Sequence, residues 1–242
     1  MRDFDWLTAR PIAHRGLHDG NVGCWENTRT AFERAIAHGF AIECDVHLAA
    51  DGVPVVIHDD ALGRLTGQDG YVWQRSAAEL GALRVGSTAD RVPTLAEVIE
   101  LVAGRVPLVV ELKGVPGHDD GFVGAVGRLL RAYSGPAAIM SFDHWLIRRF
   151  RFDAPGVPAG LTAWGETEAL IEAHFAMLAH DLAFVSYDVT ALPNRFVSFV
   201  RQRLGMPVIT WTVRDEAAVA RTASHADQMT FEGFLPEARA LA

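Results

Sequence analysis

Short apolar runs alternate with amphipathic stretches along almost the whole chain. The runs are "PIAH" at 11–14, "FAIECDV" at 40–46, "PLVVELK" at 107–113, "AAIMSF" at 137–142, "AGLTA" at 159–163, "AFVSYD" at 183–188, "PVITWTV" at 207–213 and "QMTF" at 228–231. Runs of this length, rich in β-branched and apolar residues and bounded by Gly, Pro or polar turns, predict strands. The intervening stretches carry helix punctuation. In "TRTAFERAIAHG", Thr28 is an N-cap and Gly39 a stop, and in "TLAEVIELVAG" Thr94 and Gly104 play the same parts. Glu97 falls three residues after Thr94, which completes a capping box. Further helices are predicted to begin near Gly121, His144, Glu166, Asn194, Asp215 and Leu235.

Strand followed by helix, eight times in 242 residues, predicts an α/β fold of the (β/α)8 TIM-barrel class. An open doubly wound sheet is the rival, but no GxGxxG follows the first strand. One irregularity interrupts the alternation. After the second strand the chain turns at "ADG", residues 50–52, and runs back as "VPVVIHD", a hairpin signal. The Gly-rich, polar connection of residues 59–92 then reads as a short cap insertion at the C-terminal mouth, where barrel active sites lie.

Composition adds bounds rather than detail. With 50% apolar and 21% charged residues the chain can bury a large core, and residues 1–242 are expected to form a single domain. No apolar run approaches the ~20 residues that span a bilayer, so no stable membrane insertion is expected. "MRDFDWLTARPIAHRG" lacks the apolar core of a signal peptide, and the expected location is cytoplasmic. A formal charge of −8 argues against nucleic acid as a partner. Cys24 and Cys44 form no CxxC pair, and Cys44 reads as a small buried apolar residue. The helix faces show no self-association stripe, and oligomeric state is not readable.

The strand ends carry the chemistry. Side chains alternate along a strand, so Glu43 and Asp45 share one face while Ile42, Cys44 and Val46 take the other. Burying two like charges side by side is costly unless a cation sits between them. Glu111 and Lys113 likewise share a face, and His14, Arg15 and His58 come to the same end. Three carboxylates from two adjacent strands, with no cysteine nearby, suit a hard divalent cation such as Mg2+ or Ca2+. A purely structural network with Arg15 and Lys113 would leave three negative charges against two positive. Lys113 stands out because the other 21 of the 22 basic residues are arginine.

"IAHRG", "ENTRTAFERAIAHG", "IECDVHLAADGVPVVIHDDALGRLTG", "VPTLAEVIELV" and "PLVVELKG" together resemble the glycerophosphodiester phosphodiesterases. The resemblance is dense over residues 11–114 and loose, through "ITWTVRDE", to about residue 231. It implies a metal-dependent barrel hydrolase that splits small-molecule glycerophosphodiesters into glycerol 3-phosphate and an alcohol. On the matching positions it implies Glu43, Asp45 and Glu111 as ligands of one divalent cation, His14 and His58 as acid and base, and Arg15 and Lys113 as phosphate binders. Trp211 is implied as a pocket wall, although core packing suits it equally. Glu26, Asn27 and Arg64 are expected to organise loop and cap. His18 and His38 are expected to stand aside, with His47 at the rim, while His118, Asp119 and Asp120 shape the pocket. The last strand departs from the family pattern of an Asp directly after the Thr, since Phe231 follows Thr230 and Glu232 comes one place later. Lysophospholipase D or cyclic-phosphodiester cleavage on the same scaffold, and binding without turnover, are the alternatives.

Overall fold

The computed structural model of the protein describes residues 4–236. The helix expected to begin near Leu235 falls, after its first two residues, outside the described residues.

Eight parallel strands close into a ring. They are β1 (Ile12–Ala13), β2 (Ala41–Leu48), β4 (Leu108–Leu112), β5 (Ala137–Ser141), β6 (Ala159–Ala163), β7 (Phe184–Asp188), β8 (Val208–Val213) and β9 (Gln228–Phe231), while β3 (Pro54–Val56) is the return arm of a hairpin on β2. β1 pairs with both β2 and β9, which closes the barrel. Every strand expected from the apolar runs is present, with ends moved by at most two residues.

Helices α2 (Arg29–Ala37), α5 (Leu95–Val102), α6 (Phe122–Ala132), α7 (His144–Asp153), α8 (Glu168–Met177), α9 (Arg195–Arg203) and α10 (Glu216–His225) fill the intervals between barrel strands, and α1 (Asp5–Thr8) precedes β1. The Thr28 hydroxyl accepts from Ala31 N, and the Thr94 and Glu97 side chains cap each other's backbone N–H. Asn194 and Asp215 cap α9 and α10 in the same way.

Strand alternation divides the core. Outward residues such as Cys44, Val46, Val110 and Leu112 pack under the helices. Inward residues at the N-terminal end of the barrel, including Ile12, Val109, Met140, Phe184 and Ile209, form a separate cluster with Leu7 of α1. The Phe184 ring lies so close to Gly160 that a Cβ there would sit 2.4 Å from it, so only glycine fits at that point. With the lower barrel filled by apolar side chains, polar inward positions fall at the opposite end. Among the described residues no helix is long and apolar enough to cross a membrane.

The connection after β3 contains α3 (Gly63–Thr66) and α4 (Ala77–Gly81), and it has a core of its own. Leu62, Leu65, Val72 and Leu80 pack there against Ala49, Val55 and Ile57. Its Gly86 meets the Trp25 indole so closely, with φ at +57°, that a Cβ would lie 2.1 Å from the ring. This anchors the cap to the loop after β1.

Candidate active site

The β2–β4 register pairs Asp45 with Glu111 and Glu43 with Val109. The three acids thereby converge, with carboxylate oxygens of Glu43, Asp45 and Glu111 all within 4.8 Å of one another. All three are buried. The chain leaves β1 through Arg15 and Gly16, both with positive φ, and this turn aims the Arg15 backbone N–H at Glu43 Oε2, 2.9 Å away. The Arg15 guanidinium reaches Asp45 Oδ2 at 3.2 Å and donates to Glu26 Oε1 at 2.7 Å. Lys113 Nζ lies 3.1 Å from Asp45 Oδ1 and also pairs with Glu111. Asn27, itself at positive φ, donates to Asp45 Oδ2 at 2.8 Å and accepts from Asp45 N at 3.2 Å.

Electrostatics separates the three acids. Burial would push Asp45 up, but Lys113 and Arg15 outweigh it and hold the carboxyl well below the usual range. Glu43 goes the other way, pushed well up by burial and then by the Asp45 and Glu111 charges. Glu111 is also pushed up, chiefly by burial. Glu43 Oε1 is buried without a hydrogen-bond partner. An all-oxygen donor set with surplus negative charge and an unpartnered carboxylate oxygen fits a divalent cation, held by Glu43, Asp45 and Glu111.

His14 and His58 face this cluster across one cavity of about 390 Å³, which Arg15, Glu43, Glu111 and Lys113 also line. Asp45 does not line it, being enclosed by its partners. His14 Nδ1 lies 2.5 Å from Glu232 Oε2, and His58 Nδ1 lies 2.7 Å from Asp59 Oδ1. The Nε2 atom of each ring has no hydrogen bond among the described residues. Burial lowers both imidazoles below the ordinary histidine value of 6.5, so near neutral pH each is an uncharged group with an acceptor free. Arg64 binds Asp59 and Glu26 at once, tying the cap to the β1 loop.

Trp211 lines the cavity, edge-to-face with Phe142 at 5.1 Å, so of the two positions open to it the structure has the wall. His47 follows Asp45 by two residues on β2, is buried, and its Nε2–H donates to the His58 carbonyl at 2.9 Å. One expectation needs correction: His118, Asp119 and Asp120 do not line the cavity. His118 stacks on Trp73, and Asp119 accepts from the Trp145 indole, because the loop after β4 folds outward toward cap and α7. His18, expected to stand aside, lies 3.6 Å from Glu232. Phe142, Asp188, Thr190 and Arg214 line the cavity without having been anticipated. Their only sequence signal is that each follows or ends a barrel strand.

Residues 14–233 match the glycerophosphoryl diester phosphodiesterase family. YhdW of Bacillus subtilis, provisionally named a glycerophosphodiester phosphodiesterase, is 30% identical over 87% of this chain and 88% of its own. A glycerophosphodiester phosphodiesterase of Caldanaerobacter subterraneus is 36% identical over 62% of this chain and 65% of its own. Among solved structures, an Oleispira antarctica phosphodiesterase in complex with the product sn-glycerol-3-phosphate superposes with a TM-score of 0.80 at 26% identity, covering 94% of both chains.

Proposed function

The chain belongs to the glycerophosphoryl diester phosphodiesterase family, and on that premise we propose that it hydrolyses glycerophosphodiesters to glycerol 3-phosphate and an alcohol. The observation that carries this reading is one cavity lined by two carboxylate-backed histidines, two cations and two of three converging acids, with the third, Asp45, directly behind them. The product bound in the Oleispira antarctica relative supports the glycerol 3-phosphate half of the reaction.

Arg15 and Lys113 bind the phosphodiester anion. Arg15 presents a rigid fork already braced by Glu26, and Lys113 a point charge on a flexible stem. The phosphoryl group gains negative charge as an oxygen nucleophile attacks, and both cations stabilise that charge where it develops. One histidine takes the nucleophile's proton on its free Nε2. The other, protonated, gives a proton to the leaving alcohol oxygen as its bond to phosphorus breaks, and the two exchange protons with solvent afterwards. A Mg2+ or Ca2+ ion on Glu43, Asp45 and Glu111 supplies further neutralisation of phosphoryl oxygen charge when bound. Phe142 and Trp211 give the cavity an apolar wall.

The test is release of glycerol 3-phosphate from glycerophosphocholine, followed with Mg2+, Ca2+ or excess chelator. The expected result is product with one of the ions and none with chelator. Binding of the substrate with no product under any ion would overturn hydrolysis in favour of a binding protein.

A further inference from the structure

The carboxylate that meets His14 comes from the strand that departs from the family pattern. β9 ends at Phe231, whose side chain packs outward in the core, and the next residue, Glu232, turns toward the cavity end of β1. Two backbone contacts fix this turn. His14 N donates to Phe231 O at 3.0 Å, and Glu232 N donates to Val213 O at 3.1 Å. The carboxylate then holds three groups. Oε2 lies 2.5 Å from His14 Nδ1 and 3.6 Å from His18 Nε2, and Oε1 accepts from Arg214 Nε at 2.7 Å.

A metal shared by His14, His18 and Glu232 is the competing explanation, since their donor atoms lie close together. The distance decides against it. Two donors on one ion at ~2.0–2.1 Å in tetrahedral geometry sit about 3.3 Å apart. A separation of 2.5 Å is that of a short, charge-assisted hydrogen bond.

We propose that Glu232 is the positioning residue of His14, fixing its Nδ1–H tautomer and keeping Nε2 toward the cavity as the proton-transfer atom. The inference rests on the hydrolase reading above for what His14 does, but the contact itself does not. Arg214 orients the carboxylate from its other oxygen, as Arg64 does for Asp59 behind His58. Each histidine is thus backed by a carboxylate and an arginine, one set from the start of the cap and the other from the end of the barrel.

The charged and titratable groups around His14 are Glu232, Arg15 and Asp45, with His18 beyond Glu232. Of these only Glu232 is hydrogen-bonded to the imidazole, and its carboxylate favours the protonated ring. Glu232→Gln should therefore lower kcat on the order of 10²-fold, with KM changed less than about threefold. The limb of the rate profile that reports His14, acid limb if it is the base and alkaline limb if it is the acid, should move to lower pH, and affinity for Mg2+ or Ca2+ should stay as in the wild type. In the wild type, ¹⁵N spectra of the imidazole should show His14 protonated on Nδ1 and bare on Nε2 at neutral pH. Unchanged kcat in the variant overturns the proposal, as does an Nε2–H tautomer or an imidazolium at neutral pH in the wild type. The wild-type spectrum decides the matter even if the variant fails to fold. It also separates this proposal from the hydrolase reading, which fails on its own if no glycerophosphodiester is cleaved.

Discussion

Replacing Glu26 by Gln removes the charge that joins the β1 loop to the cap. Glu26 is 4% exposed and accepts from Arg15 Nη1 at 2.7 Å, Arg64 Nη2 at 2.8 Å and Asn21 Nδ2 at 2.6 Å. Burial raises its pKa, but Arg64, Arg15 and Asn21 outweigh this and bring it from 4.5 to about 2. The difference, 4.5 less about 2, is about 2.5 pH units, equivalent to roughly 3 kcal/mol at ~1.4 kcal/mol per unit. Solvent screens part of this, because the Arg64 side chain is 44% exposed, and roughly 2 kcal/mol is the expected loss. A depressed carboxylate pKa contributes stability above the unfolded-state value and loses it as pH falls through the folded-state value. Urea unfolding of wild type and variant should therefore show a gap of roughly 2 kcal/mol at pH 7 that closes as pH falls from 4.5 to about 2. Comparing the two proteins at each pH cancels the other carboxylates that titrate in that range. A gap under ~0.5 kcal/mol at pH 7, or one that does not change with pH, would refute the reasoning.

Glu111→Gln should weaken affinity for the divalent ion, read by calorimetry, because it removes a ligand charge. His58→Ala should leave ion affinity intact and lower turnover by at least ~10²-fold. In the wild type, the acid limb of kcat/KM should fall below pH 6.5, since burial lowers His14 and His58 and the base must be neutral to act. A limb above 6.5 would mean that neither histidine is the base. Gly86→Ala should destabilise the cap by at least ~1 kcal/mol, because the added methyl meets Trp25 and the residue is left-handed. Limited proteolysis of residues 59–92 should quicken in that variant while the remaining barrel resists.

Much of this architecture was legible from one sequence because its strands are short and its helix ends are chemically marked. Thr28, Thr94 and Asn194 cap the helices that follow them. The convergence of Glu43, Asp45 and Glu111 was legible because strand alternation and parallel pairing leave few other arrangements. The cap was harder. Its core is built from residues such as Leu62, Val72 and Leu80 that follow no fixed period, since short turns rather than long elements position them. The outward fold of the loop after β4 was also hidden, because stacking of His118 on Trp73 joins two loops distant in sequence. Glu232 was noticed as a departure, but its partner lies 218 residues away and is reached only across the closed barrel.

That closure has a consequence for the order in which the protein matures. A chain emerging from the ribosome presents both histidines and all three acids by residue 111, yet His14 meets its carboxylate only when β9 slots between β1 and β8. The contact between His14 and Glu232 therefore cannot form before residue 232 has been synthesised, although His58 and the three clustered acids at that end of the barrel come much earlier in the chain.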